Sequence, residues 1–371
     1  MFYSTIKIMP KIRVGVIGVG NCFAGLLQGI EYYRNNKSKR VGLIHEKIGG
    51  YSIEDIEFVS AFDVAENKVG KPLSEAIYAS PNCVNWVNSV RASDVIVKEA
   101  PILDGVGVYA ETVFKPIKQS KTLDQLREEI IEEIKRTDTR ILINYLPVGS
   151  QKATEFWASI ALETCCAFIN CIPVFVASDE NWGRRFAEKG VPIIGDDVKS
   201  QLGSTIVHRV LAKLCSDRGV VIDRTYQLNF GGNTDFLTML ERERLKSKKI
   251  SKTEAVQSQL DYRLSEACIH IGPSDFVPFL GNRKIAYIRI EGRLFADVPF
   301  SLELRLDVDD KANSAAIALD AIRCAQLALD KNIGGPLLEA SAYFMKHPPV
   351  QLDDWEAKRR LEEWISKLSQ K

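Results

Sequence analysis

The chain is poor in the residues that usually announce a function. It has four histidines and four methionines among 371 residues, and its eight cysteines form no Cys-x-x-Cys pair. With no histidine at ligand spacing to a cysteine, a zinc cluster is disfavoured. The cysteines read instead as reduced, mostly buried thiols of a cytoplasmic protein. Charge of one sign is also missing. Forty-nine basic side chains meet 48 acidic ones, for a net charge of +1, which argues against a nucleic-acid binder. No apolar run reaches the length of a membrane span, and no signal-peptide core opens the chain, so no membrane partner is expected. Repeats and low-complexity tracts are absent. Met1–Met9 reads as a short extension, with folded structure beginning near Lys11.

What is present is the pattern of an α/β protein long enough for two cores. Ile12–Ile17 is a β-branched apolar run ending in glycines, followed by a helical stretch through Leu26, Leu27 and Ile30. A second strand, Phe58–Phe62, closes on Asp63, after a polar insertion from about Asn35 to Glu54. Three more apolar runs end in polar residues: 141–143 in Asn144, 167–169 in Asn170, and 191–194 in Gly195, Asp196 and Asp197. Helices are expected over 122–137 and 151–161. This is a Rossmann-type, doubly wound pattern, in which ligands bind at the carboxyl ends of the strands.

From about Ser200 the periodicity changes. Residues 301–309 alternate strictly, and 284–293 less cleanly, predicting an antiparallel sheet with one covered face, extended by strands at 225–229 and 267–271. Asn313 and Ser314 are placed to cap a helix running to Leu329. A last amphipathic helix over 353–368 would turn Trp355, Leu361, Trp364, Ile365 and Leu368 toward an apolar surface. These helices are expected to return to the first domain. The division is then 11–200 with 311–371 for a NAD-binding domain, and 201–310 for an inserted α+β domain.

Three segments carry the chemistry. Gly18, Gly20, Asn21 and Cys22 follow a strand and open a helix, where backbone amides face a pyrophosphate. Phe23 stands where the usual fingerprint has its third glycine. The plainer alternative is a tight strand–helix turn with no nucleotide. Asp63 at a strand end favours a ribose 2′-hydroxyl, hence NAD over NADP. Lys248 and Lys252 are four apart and share a face if helical; a solvated basic face is the commoner outcome for such a pair. The turn 231–235 just upstream offers amides and a carboxylate to a ligand. The pairs Asp196/Asp197 and Asp309/Asp310 are, by default, helix caps, Lys284 and Lys346 surface residues, and His208 and His270 structural. Together, a dinucleotide turn with lysines and paired aspartates suggests redox chemistry on a sugar phosphate.

The segments Gly195–Ser200 (GDDVKS), Asn229–Asp235 (NFGGNTD), Ser247–Lys252 (SKKISK) and Ser341–Lys346 (SAYFMK) resemble the signature segments of the myo-inositol-1-phosphate synthase family. Asn144–Ser150 (NYLPVGS), Ile172–Asp179 (IPVFVASD) and His270–Asp275 (HIGPSD) resemble its shorter prokaryotic branch. The likeness runs in order from about Lys11 to Met345. It implies an NAD-dependent isomerising cyclase that turns D-glucose 6-phosphate into 1D-myo-inositol 3-phosphate. In that chemistry hydride leaves C5 for the cofactor, a C6 proton is removed, the enolate closes on the C1 aldehyde, and C5 is reduced again. Charge develops at two oxygens beside a phosphate dianion, so clustered ammonium groups suit both. Their mutual repulsion also frees one amine as a base.

Carried over by motif, the resemblance makes Lys248, Lys252, Lys284 and Lys346 the catalytic cations, with Asp197 and Asp310 relaying protons among them. It places Ser200, Gly232, Asn233 and Asp235 on the substrate. Gly18, Gly20, Asn21, Cys22, Asp63, Asn144, Ser178 and Asp196 would contact NAD. It further implies a homotetramer and, in the prokaryotic branch, a divalent cation such as zinc or magnesium, for which Asp196 and Asp197 are the candidate ligands. The choice between a divalent and a monovalent ion stays open, as do two other readings: a paralogue that cyclises a different sugar phosphate, diverged at the 32–57 insertion or the pocket wall, and a catalytically silent NAD-binding regulator.

Overall fold

The structure, a computed structural model, describes residues 10–36, 38, 40–109 and 112–370. The extension Met1–Met9 lies outside the described residues. The first part of the chain alternates strand and helix: β1 (Ile12–Ile17), α1 (Asn21–Asn35), β2 (Ile56–Asp63), α2 (Leu73–Ala76), β3 (Lys98–Glu99), α3 (Leu123–Arg136), β4 (Ile141–Asn144), α4 (Gln151–Thr164), β5 (Ala167–Asn170), α5 (Glu180–Lys189) and β6 (Pro192–Ile194). Helix α3 starts where Thr122 and Gln125 form a reciprocal capping box. Every strand of this sheet runs parallel to its neighbours. Strands β1, β4 and β5 are almost wholly buried, so they read as continuous apolar runs.

The middle of the chain supplies α6 (Ser204–Asp217), β7 (Val221–Gly231), α7 (Thr234–Thr238), α8 (Lys246–Gln257), β8 (Ile269–Phe276), β9 (Arg283–Arg293), β10 (Pro299–Asp309) and α9 (Asp310–Asp330). It is followed by β11 (Gly335–Pro336), α10 (Leu338–Phe344) and α11 (Asp354–Ser369). The seven-stranded sheet has the order β11-β6-β5-β4-β1-β2-β3, so its last strand comes from the far end of the chain. Strand order reverses between β1 and β4, and a crevice opens there at the carboxyl ends.

The second sheet, ordered β10-β9-β7-β8, is mixed rather than antiparallel. Strands β7, β9 and β10 are antiparallel neighbours, but β8 pairs with β7 in parallel. Between β7 and β8 the chain passes through α7 and α8, and a crossover of that length brings it back in the same direction. Alternation alone does not carry that information. One face is covered as expected: Ile222, Ile288 and Ile290 pack with Ala212 of α6 and Val256 of α8.

Two helix assignments are corrected. Helix α9 begins three residues before the expected cap, because the Asp309 carboxylate accepts from the Lys311 and Ala312 amides. Asn313 and Ser314 lie inside the helix, bonded to Asp309 and Lys311 carbonyls. In α11 the buried stripe is Ala357, Leu361, Ile365 and Leu368, while Trp355 is 78% exposed. Trp355 stands six positions before Leu361, which puts it off the stripe. The thiols are all free, but only Cys166, Cys171 and Cys324 are buried, and Cys83 and Cys165 are exposed. Residues 40–54 pack against α9: Arg323 donates to the carbonyls of His45 and Glu46, and Tyr51 to Asp330.

A buried ion triad fastens α11 to the middle of the chain. Asp354 accepts from Lys199 and from the fully buried Arg209, both at 3.0 Å. Burial and the adjacent Arg209 depress the Lys199 ammonium to about 8, although Asp354 opposes them. Asp354→Ala would strand two buried cations; we expect a loss of about 3–5 kcal/mol in denaturant melts, and an unchanged midpoint would contradict this role.

Candidate active site

The strand ends deliver the site. Gly18 closes β1 at φ 88°, its amide donating to the Phe62 carbonyl at 2.8 Å. A Cβ there would lie 3.0 Å from the Tyr145 carbonyl oxygen, so glycine is required. Asp63, ending β2, folds back on the turn: one carboxylate oxygen accepts from the Val19 amide at 2.7 Å, the other from the Val64 and Ala65 amides. The buried Lys68 holds the same turn from behind, donating to the Val19 carbonyl and to Asn82.

A cavity of about 1640 Å³, counting the solvent at its mouth, runs from this turn into the middle of the chain. Gly18, Gly20, Asn21, Cys22 and Asp63 line one end. Lys248, Lys252, Lys284 and Lys346 line the other, with Asp197, Asp235 and Asp310 between them and Ser200 beside them. The four lysines come from three places: two from α8, one from the start of β9, and one from just beyond α10. Lys248 and Lys252 are only 8% and 4% exposed, so the solvated-face alternative fails for them.

Backbone pairing fixes much of this. The Lys346 amide donates to the Asp197 carbonyl at 2.7 Å, and Val198 bridges Met345. The Lys346 ammonium then meets the Asp197 carboxylate at 2.8 Å, and the Ser251 hydroxyl donates to the other oxygen at 2.7 Å. Asp197 itself sits at φ 62°, a left-handed conformation that costs a non-glycine residue about 1–2 kcal/mol. Lys284 pairs with Asp310 at 3.1 Å, and Lys248 with Asp235 at 3.5 Å.

Burial would push these carboxyls up, but neighbouring ammonium groups win. Lys346 and Lys248 hold Asp197 below its ordinary value; Lys284 and Lys311 hold Asp310 well below. Burial likewise opposes charge on Lys248, yet Asp235, Asp197 and Asp310 keep its pKa raised. Burial lowers Lys346 despite its Asp197 partner, and Lys252 falls well below. Burial and then Lys284, Lys248 and Lys346 drive it well below the ordinary lysine value, with only Asp197 in opposition. Among the described residues it has no carboxylate partner.

Several expected residues are placed elsewhere. Asn144 is fully buried behind the wall, donating to Asn170 at 2.9 Å and accepting from the Leu146 amide. Asp196 accepts from Asn170, from the Val176, Ala177 and Ser178 amides, and from the Ser178 hydroxyl. Neither Ser178 nor Asp196 lines the cavity; a buried carboxylate has to be satisfied, and this network does it. Burial nevertheless raises Asp196 to about 6. Gly232 serves backbone packing, since a Cβ there would stand 2.5 Å from the Gly281 nitrogen. Asn233 caps α7 through its side-chain oxygen, while its amide nitrogen is buried with no partner among the described residues. That leaves a donor available to an added acceptor. His208 is structural, bonded to Gln227 and Thr225 and lowered by burial to about 4.

NAD suits the turn. The position of a Cβ on Gly20 has no atom within 4 Å, which leaves open space before the first amides of α1. The Asp63 carboxylate, with about four acceptor sites, keeps capacity beyond its three backbone donors. A divalent metal does not suit the expected pair: Asp196 is saturated by N–H and O–H donors, and Asp197 is taken by Lys346 and Ser251. Among the described residues no three His, Cys, Asp or Glu side chains are grouped to hold an ion.

The sequence reading missed Lys311 and Lys68, both buried in the cavity wall. Lys311 had a signal. It sits in the first turn of α9, where the helix dipole disfavours a cation, so a lysine there asks for a reason. Lys68 had none.

A family model described as myo-inositol-1-phosphate synthase matches residues 203–311. An inositol-3-phosphate synthase of Mycobacterium tuberculosis is 51% identical over 358 residues, covering 96% of each chain. One from Corynebacterium glutamicum is 48% identical over 364 residues, covering 95% of this chain and 98% of the other. In fold, a crystal structure of a myo-inositol-1-phosphate synthase-related protein from Thermotoga maritima superposes with a TM-score of 0.82 at 23% identity, covering 96% of this chain and 98% of that one. The chain belongs to the myo-inositol-1-phosphate synthase family.

Proposed function

We propose that the protein is an NAD-dependent cyclase converting D-glucose 6-phosphate into 1D-myo-inositol 3-phosphate. The observation that carries this reading is the gathering of Lys248, Lys252, Lys284 and Lys346 in the same cavity as the glycine turn. Bound at that turn, NAD supplies a hydride acceptor and then a hydride donor, leaving the net reaction an isomerisation. Asp63 and the first amides of α1 orient it.

The division of labour follows from the electrostatics. Lys252, its ammonium destabilised by burial and three neighbouring lysines, is the amine free to remove a proton from C6. Lys284, held against Asp310, passes a proton to that carboxylate as it takes the one from the C5 hydroxyl, and both transfers reverse when hydride returns. Lys248 keeps its charge because three aspartates face it, and steadies the oxyanions that form at C5 and C1. Lys346 and Asp197 make a paired relay beside it. Ser200 and Asp235, which line the cavity, are donor and acceptor for the sugar and its phosphate. The apolar tip at 294–298, with Phe295 95% exposed, supports the homotetramer implied by the resemblance. A cytoplasmic location accords with the free thiols, and no helix among the described residues is long and apolar enough to cross a membrane.

Incubated with NAD and glucose 6-phosphate, the protein is expected to release an acid-stable, non-reducing inositol phosphate with no net NADH. Steady NADH accumulation would mark an ordinary dehydrogenase, and tight NAD binding without turnover a regulator. Lys252→Ala should lose at least about 100-fold in kcat with NAD affinity intact by calorimetry; parallel loss of both would refute its role as base.

The pH profile is a separate check. The amine must be unprotonated to act, so kcat/KM should be full above the lowered pKa of Lys252 and fall with unit slope below it. An ordinary lysine would place that limb near pH 10.4. A limb at that position would show that the buried cluster does not tune its base.

A further inference from the structure

The charge balance of the cavity leaves a gap that Lys311 fills. At the sugar end three carboxylates, Asp197, Asp235 and Asp310, face Lys248, Lys252, Lys284 and Lys346. Lys248, Lys284 and Lys346 are each paired with one of those carboxylates, and Lys252 is the proposed base, so nothing remains for a phosphate dianion. The geometry points to Lys311 as the resident cation that binds the phosphate-bearing ligand at the seam between cofactor turn and lysine cluster, making a divalent metal ion dispensable. This rests on the proposed cyclase reading and deepens it.

Lys311 is 2% exposed and lines the cavity. Its ammonium lies 3.0 Å from one Asp310 oxygen, while Lys284 already holds the other at 3.1 Å. A single carboxylate between two ammonium groups leaves one positive charge unspent. Lys311 is therefore not needed to neutralise Asp310. Its field reaches Cys22 in the first turn of α1 and Asp235 at the sugar end, so it acts on both halves of the cavity. The two helices press together here: a Cβ on Gly25 would lie 3.1 Å from the Lys311 Cβ. The position is costly for the fold, since a buried cation in the first turn of α9 opposes the helix dipole. The expected metal ligands, in turn, are consumed by other bonds. Asp196 serves the backbone of 176–178, and Asp197 serves Lys346 and Ser251.

The test compares the wild type with Lys311→Met, which keeps the aliphatic stem and leaves Asp310 its Lys284 partner, and with Lys311→Arg, which keeps the charge. Elemental mass spectrometry of the wild type should find no stoichiometric metal, and EDTA should leave its rate unchanged. The Met variant should raise KM for glucose 6-phosphate about 10- to 100-fold with a much smaller change in kcat, and weaken calorimetric binding of inorganic phosphate in parallel. The Arg variant should recover most of that affinity. One metal ion per chain whose removal abolishes the rate would overturn the proposal, as would a folded Met variant with wild-type KM and phosphate affinity. Should the Met variant not fold, a folded Arg variant that loses phosphate affinity overturns it and one that retains affinity supports it. If the wild type makes no inositol phosphate, the cyclase reading fails, and the phosphate titrations of the variants still decide the role of Lys311.

Discussion

Everything at the sugar end of the cavity depends on taking ammonium groups out of water and giving all of them but Lys252 a carboxylate. Removing a charge from water costs several kcal/mol per ion, and a partner repays it only in good geometry. Lys346 with Asp197, Lys284 with Asp310 and Lys248 with Asp235 each meet that demand. Lys252 is left buried among like charges, which lowers its hold on a proton and would leave it the amine best placed to serve as the proposed base. The aspartates are thus as necessary as the lysines, because without them burial would oppose the charge on Lys248 unanswered.

The fold exists in this form to bring those pairs within reach. A parallel sheet supplies the glycine turn and Asp63 from its strand ends, while a mixed sheet presents Lys284 at the start of β9, opposite Gly231 of β7. Helix α9 joins the two, because Asp310 opens it directly after β10, and its buried length runs beneath the first sheet. The insertion at 40–54 lies on α9, and among the described residues none of it lines the cavity.

Much of this was legible in the sequence, for reasons that differ from element to element. Strands β1, β4 and β5 declared themselves because burial on both faces leaves unbroken apolar runs, and α3 because Thr122 and Gln125 spell its cap. Lys248 and Lys252 were raised by their spacing, but Lys284 and Lys346 were recognisable only through resemblance; pattern alone would have left them on the surface. What was not legible is direction and depth. Nothing in the alternation of residues 267–276 says that β8 runs parallel to β7. Strand-end position also does not separate Asp63, which faces the cavity, from Asp196 and Asn144, which turn into a network behind it. That distinction is made by the loop at 174–178, whose amides need an acceptor, and such a need is invisible until the loop has a shape.

The short bridge between Val198 and Met345 has a developmental meaning for the molecule. During synthesis the glycine turn, α8 and β9 leave the ribosome well before residue 346 does, so the emerging polypeptide carries most of its chemistry without the strap that closes it. Until that strap docks, Asp197 lacks the ammonium that pairs with it. The wall around Asp197 is therefore completed by a segment that is synthesised late.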